Sequence, residues 1–212
     1  MTAYSAVTAG EKDAESPLTV SLVSKLDLNP LAMAEYDDTS PDQPGRWKLI
    51  DETTVAAQTE LDLVGMTTAY DTYMVEVVKC YHSSAQAIRG LVRRSVGSVW
   101  AGSTTYNADT DGKGAATGGD SGSTTHLDLS YTDNGPTSAA WAYSGLIYIH
   151  SPMDSAVSTQ FSWNINYGVS GNFHGHDGQG TYRTAEALDG FRIYPAGGVN
   201  ITGTARLWGL TN

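Results

Sequence analysis

From residue 46 onward the chain alternates. TELDLVG, YMVEVVKCYH, TTHLDLSY, GLIYIH, TQFSWNINYG, LDGFRIYP and NITGTARLWGL each interleave apolar and polar residues at a period of two. That period sends successive side chains to opposite faces, so each segment reads as a strand with one face on a core and one toward water. Clusters of Gly, Asn, Asp, Ser and Pro separate the segments and supply turn chemistry. About nine or ten strands can be read in this way, with no long helix. SSAQAIRGLVRRS accommodates a short helix, but AIRGLVRR fits a strand as well. A parallel sheet needs crossover helices, and none alternate with these strands. The expected fold is therefore all-β, an antiparallel jelly-roll sandwich. One stretch breaks the pattern. AGSTTYNADTDGKGAATGGDSGST, residues 101–124, has no apolar period and is expected as a long exposed loop, a tip or an inter-subunit wrap.

The first 45 residues have another character. Of the aromatic residues only Tyr4 and Tyr36 precede residue 46, and EYDDTSPDQPGR, with its prolines, acids and glycine, reads as a linker. The expected organisation is an arm over 1–45, containing a short helix, and a sandwich domain over 46–212. Within the arm, SPLTVSLVSKLDLNPLAMAE is the most apolar segment. Ser16 suits a helix cap and Pro17 the first helical position. Leu18, Leu22, Val23 and Leu26 then fall on one stripe, and Pro30 ends the helix. A secretory signal starts with basic residues and an unbroken apolar run. Here Glu11, Lys12, Asp13 and Glu15 come first, and Lys25 and Asp27 interrupt. No segment supplies the roughly 20 apolar residues of a spanning helix. The expectation is no signal peptide and no membrane insertion. A helix of about 13 residues is marginal alone in water, so the stripe is expected to dock on another surface.

Net charge is −11, and residues 1–62 hold 12 acidic against 4 basic side chains. A phosphate backbone needs a basic surface, so nucleic acid is not an expected partner. Cys80 is the single cysteine, which excludes an internal disulfide. Its strand context predicts a buried, inert thiol. Two segments offer weak metal chemistry. In NADTDGKG, Asn107, Asp109 and Asp111 have the one-three-five spacing of a calcium loop with Gly112 at the turn position, but Gly118 stands where a bidentate Glu belongs. In FHGHDGQG, alternation sets His174 and His176 on one face, with Asp177 as the only nearby third ligand. His82, His126 and His150 read as packed or surface histidines. Neither segment completes a ligand set, so no metal and no cofactor are expected. There is no phosphate-binding glycine loop and no nucleophile elbow. GGDSGS, residues 118–123, is similar to the nucleophile segment of chymotrypsin-like proteases, yet only His82 precedes it as a base. The chain is not expected to be an enzyme.

AYSAVTAGEKDAESPLTVSLVSKLDLNPLAMAE, residues 3–35, resembles the opening of virion proteins of tailed bacteriophages, in which such a segment precedes a variable β domain. VNITGTARLWGL, following LDGFRIYPAGG, resembles the closing strand of phage fibre and head-decoration jelly rolls; FHGHDG departs from that pattern. The resemblance implies a particle-surface component, commonly a homotrimer, attached to other virion proteins by its leading segment and carrying no catalytic residues. It implies a tail or head fibre or spike that meets the host surface, or alternatively a capsid decoration protein. A separate reading is a carbohydrate-binding or glycan-hydrolysing domain, with Trp100, Trp141 and Trp163 as a sugar platform.

Overall fold

The computed structural model describes residues 46–102, 106–113, 119–130 and 135–211. The chain separates into two units, Met1–Asp42 and Gln43–Asn212, and every described residue lies in the second. The expected helix and its stripe of Leu18, Leu22, Val23 and Leu26 fall outside the described residues.

The described residues form thirteen strands: β1 Trp47–Gln58, β2 Leu61–Val64, β3 Tyr70–His82, β4 Ile88–Arg94, β5 Val99–Trp100, β6 Tyr106–Lys113, β7 Gly119–Thr124, β8 Leu127–Asp128, β9 Tyr143–His150, β10 Thr159–Val169, β11 Asn172–Tyr182, β12 Leu188–Pro195 and β13 Ile201–Thr211. Every pairing is antiparallel. The larger sheet runs β1-β13-β3-β9-β10-β11-β6-β7, and the smaller runs β2-β12-β4-β5, with β8 also on β4. The order is that of a jelly roll. The first strand lies beside the last and the second beside the last but one; β3 and β4 then flank those same partners, one in each sheet. Two interlocked Greek keys give this arrangement. The strands β10, β11, β6 and β7 widen one sheet beyond the basic four.

Each sheet turns one side inward. Tyr73, Val75, Ile147, Ile149, Phe161, Trp163 and Ile165 come from the larger sheet, and Leu61, Leu63, Ile88, Val92, Phe191 and Ile193 from the smaller; all belong to one buried cluster. The Phe161 and Phe191 rings meet between the sheets at 6.2 Å. Burying one such side chain fully is worth roughly 1.5–3 kcal/mol. The segment AIRGLVRR, readable either way from sequence, is strand: Ile88, Gly90 and Val92 are buried while Arg89, Leu91 and Arg93 are half-buried on the other side.

In β3 the inward parity changes. Tyr73, Val75 and Val77 are buried, then Cys80 and His82. A β-bulge shifts the register between Val77 and Cys80, and Lys79 takes φ 52°. The extra residue carries Cys80 and His82 inward. The facing position is Gly203, φ 150°, where a Cβ would stand 2.6 Å from both the Cα and the Sγ of Cys80. Only glycine lets the two strands approach this closely.

The structure corrects the expectation for residues 101–124. They are not one aperiodic loop: Tyr106–Lys113 and Gly119–Thr124 are paired strands. Tyr106 is fully buried against Tyr182, its cross-strand partner, with ring centroids 5.2 Å apart. Backbone pairing with β11, not apolar alternation, fixes this segment.

Candidate functional site

The outward face of the larger sheet is the less usual of the two. In a sandwich that face is ordinarily polar. Here Leu49, Trp208, Met74 and Tyr148 stand in one cross-strand row of β1, β13, β3 and β9. Trp47 and Leu210 stand in the next row, and the Trp47 ring reaches within 6.1 Å of the Tyr148 ring. Leu49 is 44 % exposed and the others are half-buried. Beside this apolar band, Arg206 is held between Glu52 and Glu76, and Trp208 Nε1 donates to Glu76 at 3.3 Å. Further along the same sheet, the Trp141 ring covers Gly168, and Phe173, paired with Gly168, is 72 % exposed.

The sequence-predicted metal residues lie on neighbouring strands of this sheet. Asn107, Asp109 and Asp111 occupy alternate positions of β6, an extended strand and not the tight loop of a calcium site. The register sets Asp111 opposite Asp177 and Asp109 opposite Asp120. Gly118 is outside the described residues. His174 and His176 do share a face, and it is the inner one: both imidazoles stack on the Tyr167 ring, at 5.3 and 5.5 Å. His176 is 3 % exposed, with Nε2 3.1 Å from the Tyr167 hydroxyl. Burial and the nearby His174 lower its pKa, against an opposing pull from Asp177. The Asp177 carboxylate accepts a hydrogen bond from Asn164 on the opposite, outward face, so it does not join the two histidines. Among the described residues no three His, Cys, Asp or Glu side chains are placed to hold a metal.

The Tyr167 stack continues inward. Tyr143 lies 4.6 Å from Tyr167, and His82 lies 5.3 Å from Tyr143. His82 is fully buried, and neither ring nitrogen makes a hydrogen bond of ordinary geometry. Burial pushes its pKa down to about 4, partly offset by the Gln86 backbone carbonyl. His126 is 3.0 Å from Asp128, and His150 is exposed. Cys80 is buried, and its thiol is pushed up to about 12.

The serine-protease likeness of GGDSGS finds no counterpart. Residues 119–123 lie on β7 and His82 on β3, with β9, β10, β11 and β6 between them. Five inter-strand spacings are about 24 Å. The three tryptophans of the supposed sugar platform are also dispersed: Trp163 is in the core, Trp141 is on the larger sheet and Trp100 is on the smaller.

The outward face of the smaller sheet carries a feature that alternation alone did not reveal. Three arginines there each meet a carboxylate: Arg89 with Asp128, Arg93 with Asp189, and Arg192 with Glu60 and Asp62. Arg94, on the inward parity of β4 opposite Leu188, pairs with Glu186 and donates to the Tyr182 hydroxyl. Arg192 grips Asp62 through two hydrogen bonds, Nε at 2.6 Å and Nη2 at 2.7 Å, while its guanidinium lies 4.2 Å from the Trp100 ring centroid. The partners are 130 residues apart in sequence. Beside Arg192 a depression of about 290 Å³ is lined by Thr59, Glu60, Leu91, Arg192, Tyr194, Pro195, Gly197 and Gly198. In comparisons with family models, with curated proteins and with solved structures, the chain has no significant match.

Proposed function

We propose that this chain is a non-enzymatic surface component of a tailed-bacteriophage particle, a fibre or spike module that is attached by its leading segment and contacts the host surface. Copies of the sandwich associate with one another, as a homotrimer, through the outward face of the larger sheet. The observation that carries this reading is the apolar band of Trp47, Leu49, Met74, Tyr148, Trp208 and Leu210, on a face that a lone sandwich would leave polar. Contiguous exposed apolar patches mark interaction surfaces. The resemblance of residues 3–35 to virion leading segments and the separation of the chain near residue 42 support attachment through the arm. Three arms held by one trimer act together at high effective concentration.

Cosedimentation with purified tails and, separately, purified capsids tests the attachment. Replacing Leu22 and Leu26 with Asp is expected to abolish cosedimentation and leave the circular dichroism of the sandwich unchanged. Full incorporation of the double variant would overturn the role given to the arm. Cosedimentation with capsids alone would move the assignment to a decoration protein.

A further inference from the structure

We propose that the depression on the outward face of the smaller sheet, walled by Leu91, Tyr194 and Pro195 and edged by Glu60 and Arg192, binds one neutral saccharide ring. The inference gives the host-contact part of the reading above a ligand class and rests on it for the biological source of the sugar.

Size is the first argument. The depression holds about 290 Å³, just below the roughly 300–1,000 Å³ of ligand sites. It suits a single ring. Its rim is bare: Gly197 and Gly198 have φ 72° and 70°, and a Cβ at Gly198 would meet nothing within 4 Å.

Chemistry is the second. A pyranose presents an apolar C–H side and an edge of neighbouring hydroxyls that both donate and accept. Leu91, Tyr194 and Pro195 supply an apolar wall with one aromatic ring. Arg192 has five N–H donors. Two go to Asp62, and Nη1 forms an ion pair with Glu60, which leaves N–H donors over. Glu60 lines the depression, is 44 % exposed in its side chain, and its carboxylate has acceptor capacity beyond the oxygen that meets Arg192. A donor and an acceptor side by side match two adjacent hydroxyls. Arg192 is held in place by Asp62 and by the Trp100 ring, so the pair is pre-organised.

Charge is the third. Glu60 and Asp62 outnumber the one guanidinium at the site, and Arg89 nearby is engaged by Asp128. The surplus negative charge disfavours phosphorylated or carboxylated sugars. A neutral ring is what remains.

Saturation-transfer NMR on the full chain, with glucose, galactose, mannose, N-acetylglucosamine and N-acetylgalactosamine each as probe, tests this directly. At least one sugar is expected to show saturable transfer, strongest at its ring C–H protons. Glu60→Gln and Tyr194→Ala are each expected to weaken that binding about ten-fold or more, and Tyr194→Phe to keep it within about three-fold. N-acetylneuraminic acid and lysine methyl ester are expected not to compete. Absence of transfer for all five sugars, binding unaffected by both Glu60→Gln and Tyr194→Ala, or displacement by lysine methyl ester would overturn the proposal. Binding is read on the isolated chain, so its failure is distinct from a failure to join particles.

Discussion

His82 contributes to the acid sensitivity of this fold through its burial. The imidazole is fully buried beside Tyr143, and its pKa is lowered to about 4 by that burial. In the unfolded chain a histidine titrates near 6.5. Between those values the unfolded state binds a proton that the folded state does not, so stability is complete above pH 6.5 and declines as pH falls toward 4. Integrating the linkage from pH 7.5 to pH 5 gives a loss of about 2 kcal/mol from this one group. For a domain of this size that is a fall of roughly 4–8 °C in the unfolding midpoint. The perturbation is His82→Leu, an apolar side chain of similar bulk. Denaturant unfolding of the wild type and the variant at pH 7.5 and pH 5 isolates the term, because His176, whose pKa is also lowered, contributes equally to both proteins. The variant is expected to be less sensitive than the wild type by about 2 kcal/mol over that interval. Equal pH dependence in the two proteins would refute the assignment to His82.

Gly203→Ala is expected to destabilise the domain by about 3 kcal/mol or more, because a Cβ there meets Cys80 Cα at 2.6 Å and the backbone already sits at φ 150°; an unfolding midpoint within error of wild type would contradict this. Cys80 is expected to resist a thiol reagent at pH 8 in the folded chain and to react fully in denaturant, since its thiol is buried and pushed up to about 12. Arg192→Met leaves Asp62 and Glu60 without their guanidinium and is expected to cost about 1–2 kcal/mol, discounted for the partial exposure of both acids; chemical denaturation measures it.

The legible part of the fold was the part written in half-buried side chains. YMVEVVKCYH and TQFSWNINYG announce β3 and β10 because one face of each is core and the other is not. The strands β6 and β7 were hidden because Gly, Ser, Thr and Asp carry no apolar period, and their order comes from backbone pairing with β11. Alternation encodes faces, not neighbours, so the placing of β13 between β1 and β3 had no local signal. The same limit governs the sites. His174 and His176 were readable as sharing a face, but not as stacked on Tyr167 inside the sandwich. The bulge at Lys79 silently changed which residues of β3 point inward. Arg192 and Asp62 come from two strands far apart in sequence and Glu60 from the turn before β2, and no motif joins them.

The mass of the full chain in solution tests the assembly claim most directly. Sedimentation equilibrium at micromolar concentration is predicted to give three times the 22.5 kDa of one chain. Leu49→Asp, at a position already 44 % exposed, is predicted to return the mass to that of one chain with an unchanged circular dichroism spectrum. A wild-type chain that sediments as a monomer, or a Leu49→Asp variant that remains a trimer, would contradict the role given to the outward face of the larger sheet.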